Sequence, residues 1–198
     1  MAQIYPTTTH RGTQTPDYAV ERVLGDGMEV RRYPAMRMAA VTVEGTKAEA
    51  ASKAFRKLAG FIFGANSEGR KMAMTTPVIT KPATMIQYRG EPVAAEVPEA
   101  SRTWTQAFIL PAEYALGDLP APDDGTIRVF STRPYRVAAA RFQGAGTPAQ
   151  YAKARQDLAA VLAAEGIEYA PVPEYAGYDA PWVEPTQKRH EVHFRLAD

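Results

Sequence analysis

Cysteine is absent from this 198-residue chain, which excludes disulfides, thiolate metal sites and cysteine nucleophiles. Surplus charge is nearly absent too. The 23 Lys and Arg residues against 22 Asp and Glu leave a net charge of +1. A sequence-independent nucleic-acid binder needs a basic excess to neutralise phosphates, so no nucleic-acid partner is expected. No stretch approaches the ~20 apolar residues of a membrane span. Residues 1–17 are polar and rich in Thr, Gln and Pro. They lack the basic start and apolar run of a secretory signal, so the expectation is a flexible N-terminal segment on a cytoplasmic protein. Catalytic signatures are missing as well: there is no Gly-x-Ser-x-Gly elbow, His-Glu-x-x-His pair, phosphate-binding Gly-Lys-Thr loop or dinucleotide fingerprint. Glu29, Glu44, Glu113 and Asp179 are scattered, and no acid–base pair follows from their spacing. An enzyme is the less expected class.

What is present is an ordinary globular composition, 45% hydrophobic and 23% charged, with length enough for one substantial core or two intimately packed halves. Segments Tyr18–Leu24 and Met28–Tyr33 flank Gly25-Asp26-Gly27, a hairpin signal. Met36–Val43 reads as a third strand. A helix is expected from about Lys47 to Phe63, with Phe55, Leu58, Ala59 and Ile62 inward at i, i+3, i+4 and i+7. Beyond Gly64, Asn66 and Gly69, residues Lys71 to Val78 read as the start of a buried strand. Met72 and Met74 alternate there with Ala73 and Thr75, and Pro77 bends or ends the strand.

The plan then recurs. Arg37-Met-Ala-Ala-Val-Thr-Val-Glu-Gly45 aligns with Arg136-Val-Ala-Ala-Ala-Arg-Phe-Gln-Gly144 at an offset of 99 residues (136 − 37), and both lead into a helix. The second helix is expected from about Pro148 to Glu165, with Ala154, Leu158, Val161 and Leu162 inward, Thr147 as N-cap and Gly166 as C-cap. Thr103–Leu110, Thr126–Ser131 and His190–Leu196 are further strands, and Glu91–Ser101 connects the halves. The expectation is an α+β fold: one domain over 18–198, built from two repeats of about 18–100 and 101–198 packed as a pseudo-symmetric pair.

Several segments, in order, resemble the SOUL haem-binding protein family: Glu29-Val-Arg-Arg-Tyr33-Pro34, Phe55-x-x-Leu58-x-x-Phe61-Ile62-x-Gly64-x-Asn66, Lys71-Met-Ala-Met-Thr-Thr-Pro-Val78, Phe108-Ile-Leu-Pro111, Leu119-Pro-x-Pro122, Gly177-Tyr-Asp-x-Pro-Trp182 and Glu191-Val192. The resemblance runs from about Tyr18 to Phe194. It implies a distorted antiparallel β-barrel, open and built of two sheets, with two flanking helices, similar to the effector-binding domains of some bacterial transcription regulators. It also implies haem or another tetrapyrrole as ligand, held by a non-enzymatic carrier, buffer or sensor. The alternatives are an effector-type module for another apolar or cationic small molecule, or an enzyme acting on haem or another bound compound.

Haem needs an apolar slot, donors for two propionates and usually an axial ligand. His10 falls in the flexible segment and is set aside. His193 shares strand parity with Glu191 and Arg195, which suggests a solvated face. His190 shares parity with Val192, Phe194 and Leu196 and should point inward, as a core histidine or as an axial ligand. It stands where the family commonly carries Asn. Arg32 stands where some members carry His; it cannot ligate iron, but it can anchor a propionate or pair with a carboxylate. Met72 and Met74 carry thioethers able to ligate iron, or simply pack the core. Tyr33, Tyr178 and Trp182 offer stacking surface or core bulk. Lys53, Arg56 and Lys57 lie on a helix margin, placed for propionates or for solvent.

Overall fold

The computed structural model describes residues 3–5, 9–83 and 103–197; the Glu91–Ser101 connection lies outside them. In chain order the strands are β1 (Gln3–Tyr5), β2 (Thr9–His10), β3 (Thr13–Gln14), β4 (Tyr18–Gly25), β5 (Met28–Tyr33) and β6 (Arg37–Glu44). Helix α1 (Lys47–Ile62) leads to β7 (Val78–Pro82), β8 (Thr103–Ile109), β9 (Arg128–Ser131) and β10 (Tyr135–Gln143). Helix α2 (Pro148–Ala164) leads to β11 (Tyr169–Gly177) and β12 (Arg189–Leu196). Apart from the strand expected from Lys71, the expected strands and helices form where periodicity places them, within a residue or two at most ends.

Each helix begins on a capping box. Thr46 caps α1 with Glu49 reaching back, and Thr147 caps α2 with Gln150 in the same role, so two otherwise orphaned N–H groups are satisfied at each start. Gly27, at φ +68°, closes the β4–β5 hairpin, and a Cβ there would stand 3.1 Å from the Arg141 carbonyl oxygen; only glycine meets both demands.

Among the described residues, ten strands form one sheet in the order β1-β4-β5-β10-β12-β11-β7-β8-β6-β9. Every pairing is antiparallel. The strands therefore make one continuous sheet rather than two, because β11 pairs with β7 from Tyr175↔Thr80 to Gly177↔Val78. On either side of that seam, β6-β8-β7 mirrors β10-β12-β11. Strand β5 lies on β10 and β9 on β6, so each half lends a strand to the other.

The sheet curls. Tyr33, Met38, Ala107, Ile109, Val137 and Ala139 share one buried cluster, although their strands lie toward opposite ends of the sheet order. Outside the curl, α1 packs Ala54, Leu58, Phe61 and Ile62 on Val41 and Phe108, and α2 packs Leu158 and Leu162 on Ala138, Ala140 and Phe194. The α1 stripe is rotated from the sequence expectation. Ala50 and Ala54 are fully buried, and their small side chains let the helix lie close to the sheet. Phe55 is 38% exposed and meets Phe108 edge-on at 5.2 Å.

The strand expected at Met72 begins later, at Val78, after a cis Thr76–Pro77 bond. Before it, Met72 N–H donates to the Ile62 carbonyl at 2.7 Å and Thr76 N–H to Gln14 at 2.8 Å. Lys71 to Met74 alternate in burial as a strand would, but Thr75 and Thr76 are both buried, and helix end and N-terminal segment take hydrogen bonds that a neighbouring strand would otherwise supply.

Candidate functional site

Two sites stand out: a charged network inside the curl and a groove outside it. The network centres on Glu191, fully buried. Arg31 grips its carboxylate with two bonds of 2.7 and 3.1 Å. Tyr178 Oη and His193 Nε2 each lie 2.8 Å from Oε2, and Arg189 donates to Oε1 at 2.6 Å. Arg31 also reaches Glu29 at 2.6 Å and Tyr33 Oη at 3.1 Å, and lies over the Tyr18 ring.

Burial alone would raise the Glu191 carboxyl, but the Arg31 charge and the His193 hydrogen bond hold it well below the ordinary carboxylate range. Burial, with the Glu191 charge, pushes Tyr178 well up, and burial pushes Tyr33 up to about 12. Three of the segments that carry the family resemblance, Glu29–Tyr33, Gly177–Asp179 and Glu191-Val192, therefore meet in one network. With every acceptor on Glu191 filled, it has the character of a structural tie.

His193 and Glu191 correct the sequence expectation of a solvated face: they are 3% and 0% exposed. Their shared parity is right. The face they share looks into the curl, where β5 and β11 bring charged partners to meet them.

The groove lies between the first turns of the two helices and offers about 430 Å³, within the usual range for small-molecule sites. Its wall is Trp104 of β8, Tyr175 of β11 and Tyr151 of α2, with Ala48 and Ala51 of α1 and Ala152 of α2 beside them. The Lys47 ammonium sits 3.5 Å from the Tyr175 ring centre, 4.0 Å from that of Tyr151 and 5.9 Å from that of Trp104. Arg155 also lines the groove, and no carboxylate does among the described residues. Both helices present their positive N-terminal ends here. Trp104 is 4% exposed, and its indole Nε1–H finds no acceptor among the described residues. These features fit a flat, largely apolar molecule bearing carboxylates.

His190 adjoins the groove behind Tyr151. Its Nδ1 lies 2.8 Å from Tyr151 Oη and its Nε2 3.1 Å from the Gly144 carbonyl oxygen. A carbonyl only accepts, so Nε2 carries the proton and Nδ1 accepts from the phenol. Phe142 stacks on the ring at 5.3 Å. A Cβ on Gly146 would come within 2.8 Å of His190 Cε1, so glycine there makes room for the imidazole. Burial lowers the His190 pKa, with the Gly144 bond opposing in part, and the ring is neutral at ordinary pH.

The other residues singled out from sequence are dispersed. Arg32 pairs with Glu21 at 2.6 Å on the outer surface, and Arg136 shares that carboxylate. Lys53 and Arg56 are exposed, away from the groove, with Arg56 Nε donating to the Ser52 carbonyl at 3.3 Å. Lys57 pairs with Asp124 at 2.6 Å. Met72 is buried beneath α1 with Met74 packed beside it. Tyr178 belongs to the inner network, and Trp182 is 86% exposed. His10 holds Asp179 at 2.9 Å and meets Tyr178 edge-on. Of the residues expected to bind a cofactor, His190 alone adjoins the groove. Lys47, Trp104, Tyr151, Arg155 and Tyr175 were not singled out.

A family model described as SOUL heme-binding protein matches residues 13–195. No curated protein sequence matches. Among solved structures, the C-terminal domain of EcmrR superposes with a TM-score of 0.64 at 11% identity, over 86% of this chain and 97% of that one. A hydrolase from Listeria innocua gives 0.61 at 10%, over 86% and 91%. The EcmrR–DNA complex gives 0.62 at 11%, over 86% of this chain and 57% of that one. At such identities the likeness establishes the effector-binding-domain-like fold. No described helix is long and apolar enough to cross a membrane.

Proposed function

This chain belongs to the SOUL haem-binding family, and on that footing we propose that the groove between α1 and α2 is where it holds haem or a related tetrapyrrole. Family membership supports the role in binding such a molecule; the groove's chemistry supports the place. One observation carries the placement: an aromatic wall of Trp104, Tyr151 and Tyr175 stands beside two cationic side chains, Lys47 and Arg155. The wall takes the apolar macrocycle and the cations take its propionates. Arg32, Lys53, Arg56, Met72, Met74 and Tyr178 lie elsewhere and would act only indirectly. The function that follows is that of a cytoplasmic carrier, buffer or sensor.

The same lining weighs against one alternative. An apolar cation would have to displace Lys47 and would find no carboxylate among the described lining residues. Titration of the purified chain with haemin decides between these readings. A Soret shift that saturates at one equivalent is expected. Absorbance that rises without saturating overturns the placement, as does saturable binding of a quaternary ammonium dye in its stead.

A further inference from the structure

We infer that Tyr151 is the side chain through which this chain meets the iron of a bound ferric porphyrin, with His190 as the base that prepares it. The inference rests on the groove reading above. Three observations carry it. The Tyr151 ring lines the groove while His190 does not. The one lone pair on neutral His190, at Nδ1, already faces the Tyr151 hydroxyl at 2.8 Å, because the Gly144 carbonyl fixes the tautomer through Nε2. And Lys47 places a positive charge 4.0 Å from the Tyr151 ring centre, in the same groove lining, where it can meet a propionate of the bound porphyrin.

Tyrosinate is an established ligand type for ferric haem. The step balances without any redox partner: the phenolic O–H bond breaks, the proton passes to His190 Nδ1, and the phenolate oxygen bonds to ferric iron in place of a water. Without iron, burial and then the neighbouring Tyr175 raise the Tyr151 pKa, so the free protein holds a neutral phenol. The Nδ1 lone pair of His190, 2.8 Å from the hydroxyl, is the acceptor placed for its proton. Gly146 and Phe142 hold His190 in place, as the partners of a ligating group generally must be held. His190 is thus a positioning residue for Tyr151.

Neither methionine competes: Met72 N–H is tied to the Ile62 carbonyl at the end of α1, Met74 packs on the same core cluster, and neither lines the groove. Among the described residues no group of three or more His, Asp or Glu could hold a bare metal ion, so the iron would arrive already held by a macrocycle.

The test loads the full chain with haemin and, separately, with metal-free protoporphyrin. Wild type with haemin should show a high-spin ferric spectrum with a phenolate-to-iron charge-transfer band. Tyr151→Phe should lose that band. His190→Gln keeps a donor for Gly144 but no basic nitrogen; it should move the pH midpoint of the band upward and weaken haemin binding by about 10–100-fold. The groups facing the pair, Lys47, Tyr175, Lys188 and Asp179, are unchanged in that variant, so the shift belongs to His190. Metal-free protoporphyrin, which has no iron to ligate, reports in each protein whether the groove itself still takes a porphyrin. A charge-transfer band that is absent from wild type or survives Tyr151→Phe overturns the inference while the groove reading stands. An unmoved midpoint in His190→Gln overturns the role given to His190. Failure of wild type to bind either porphyrin overturns both readings together.

Discussion

Replacing Glu191 with glutamine is expected to cost about 3–5 kcal/mol of folding stability, read as a lower urea midpoint with an unchanged slope. The substitution keeps the shape and removes the charge. Arg31, 1% exposed at its side chain, and Arg189, 20% exposed, then face each other across a neutral amide. A buried cation and a half-buried one lose their common anion, and of the carboxylates Arg31 keeps only Glu29. Removing one partner of a buried ion pair costs far more than the pair itself contributes, because the desolvated charge that remains cannot return to water.

The pH dependence follows from the direction of the shift. Arg31 and His193 hold the folded Glu191 carboxyl well below the ordinary value of 4.5. Its contribution is therefore complete above about pH 4.5 and is lost as the pH falls toward the folded pKa. Wild-type stability should decline on acidification through that window. Glu191→Gln should show a shallower acid limb, with the remaining slope coming from groups such as Glu174, whose carboxyl Arg195 and Lys81 also depress against its burial. Equal acid limbs in the two proteins would contradict the assignment of Glu191 as the central ion of the fold.

The second large effect is on binding. Replacing Ala51 with tryptophan should abolish saturable haemin binding while leaving stability within about 0.5 kcal/mol. Ala51 is half-buried on the α1 wall of the groove and outside the α1 core. An indole projecting from it would occupy the volume beside Trp104 and Tyr151 without entering the packed interior. Binding lost at unchanged stability places the ligand in the groove. Binding retained at full affinity places it elsewhere, and the basic rim of Arg141, Arg189 and Arg11 at the end of the curl would then be the next surface to test.

Much of the fold was legible because its signals are local. Gly25-Asp26-Gly27 makes the hairpin, Thr147 caps α2, and the Arg37 and Arg136 segments do form equivalent strands. The misreadings are tertiary. Alternation along β12 correctly grouped Glu191 with His193, but parity does not say which face is wet. In a sheet that curls and carries helices outside, both faces are buried.

The groove was hidden for a related reason. Lys47, Trp104, Tyr151 and Tyr175 come from four elements, and no short window contains more than one of them. A trace of it existed in the repeat: Lys47 follows the Thr46 cap and Tyr151 stands in the first turn after Thr147. Two halves packed about a seam bring equivalent helix starts together. The segments that carry the family resemblance drew attention to Tyr33, Tyr178 and Glu191, which hold the curl together, while the groove is lined by residues outside those segments.

The measurement that bears most directly on the groove uses the two tryptophans of the chain. In a ¹H–¹⁵N correlation spectrum each gives one indole N–H signal. Trp104 Nε1 is buried beside the groove without an acceptor among the described residues, whereas Trp182 is 86% exposed. On titration with diamagnetic metal-free protoporphyrin, the Trp104 signal should shift and saturate at one equivalent while the Trp182 signal stays in place. A Trp104 signal that does not move while the porphyrin binds would contradict the account.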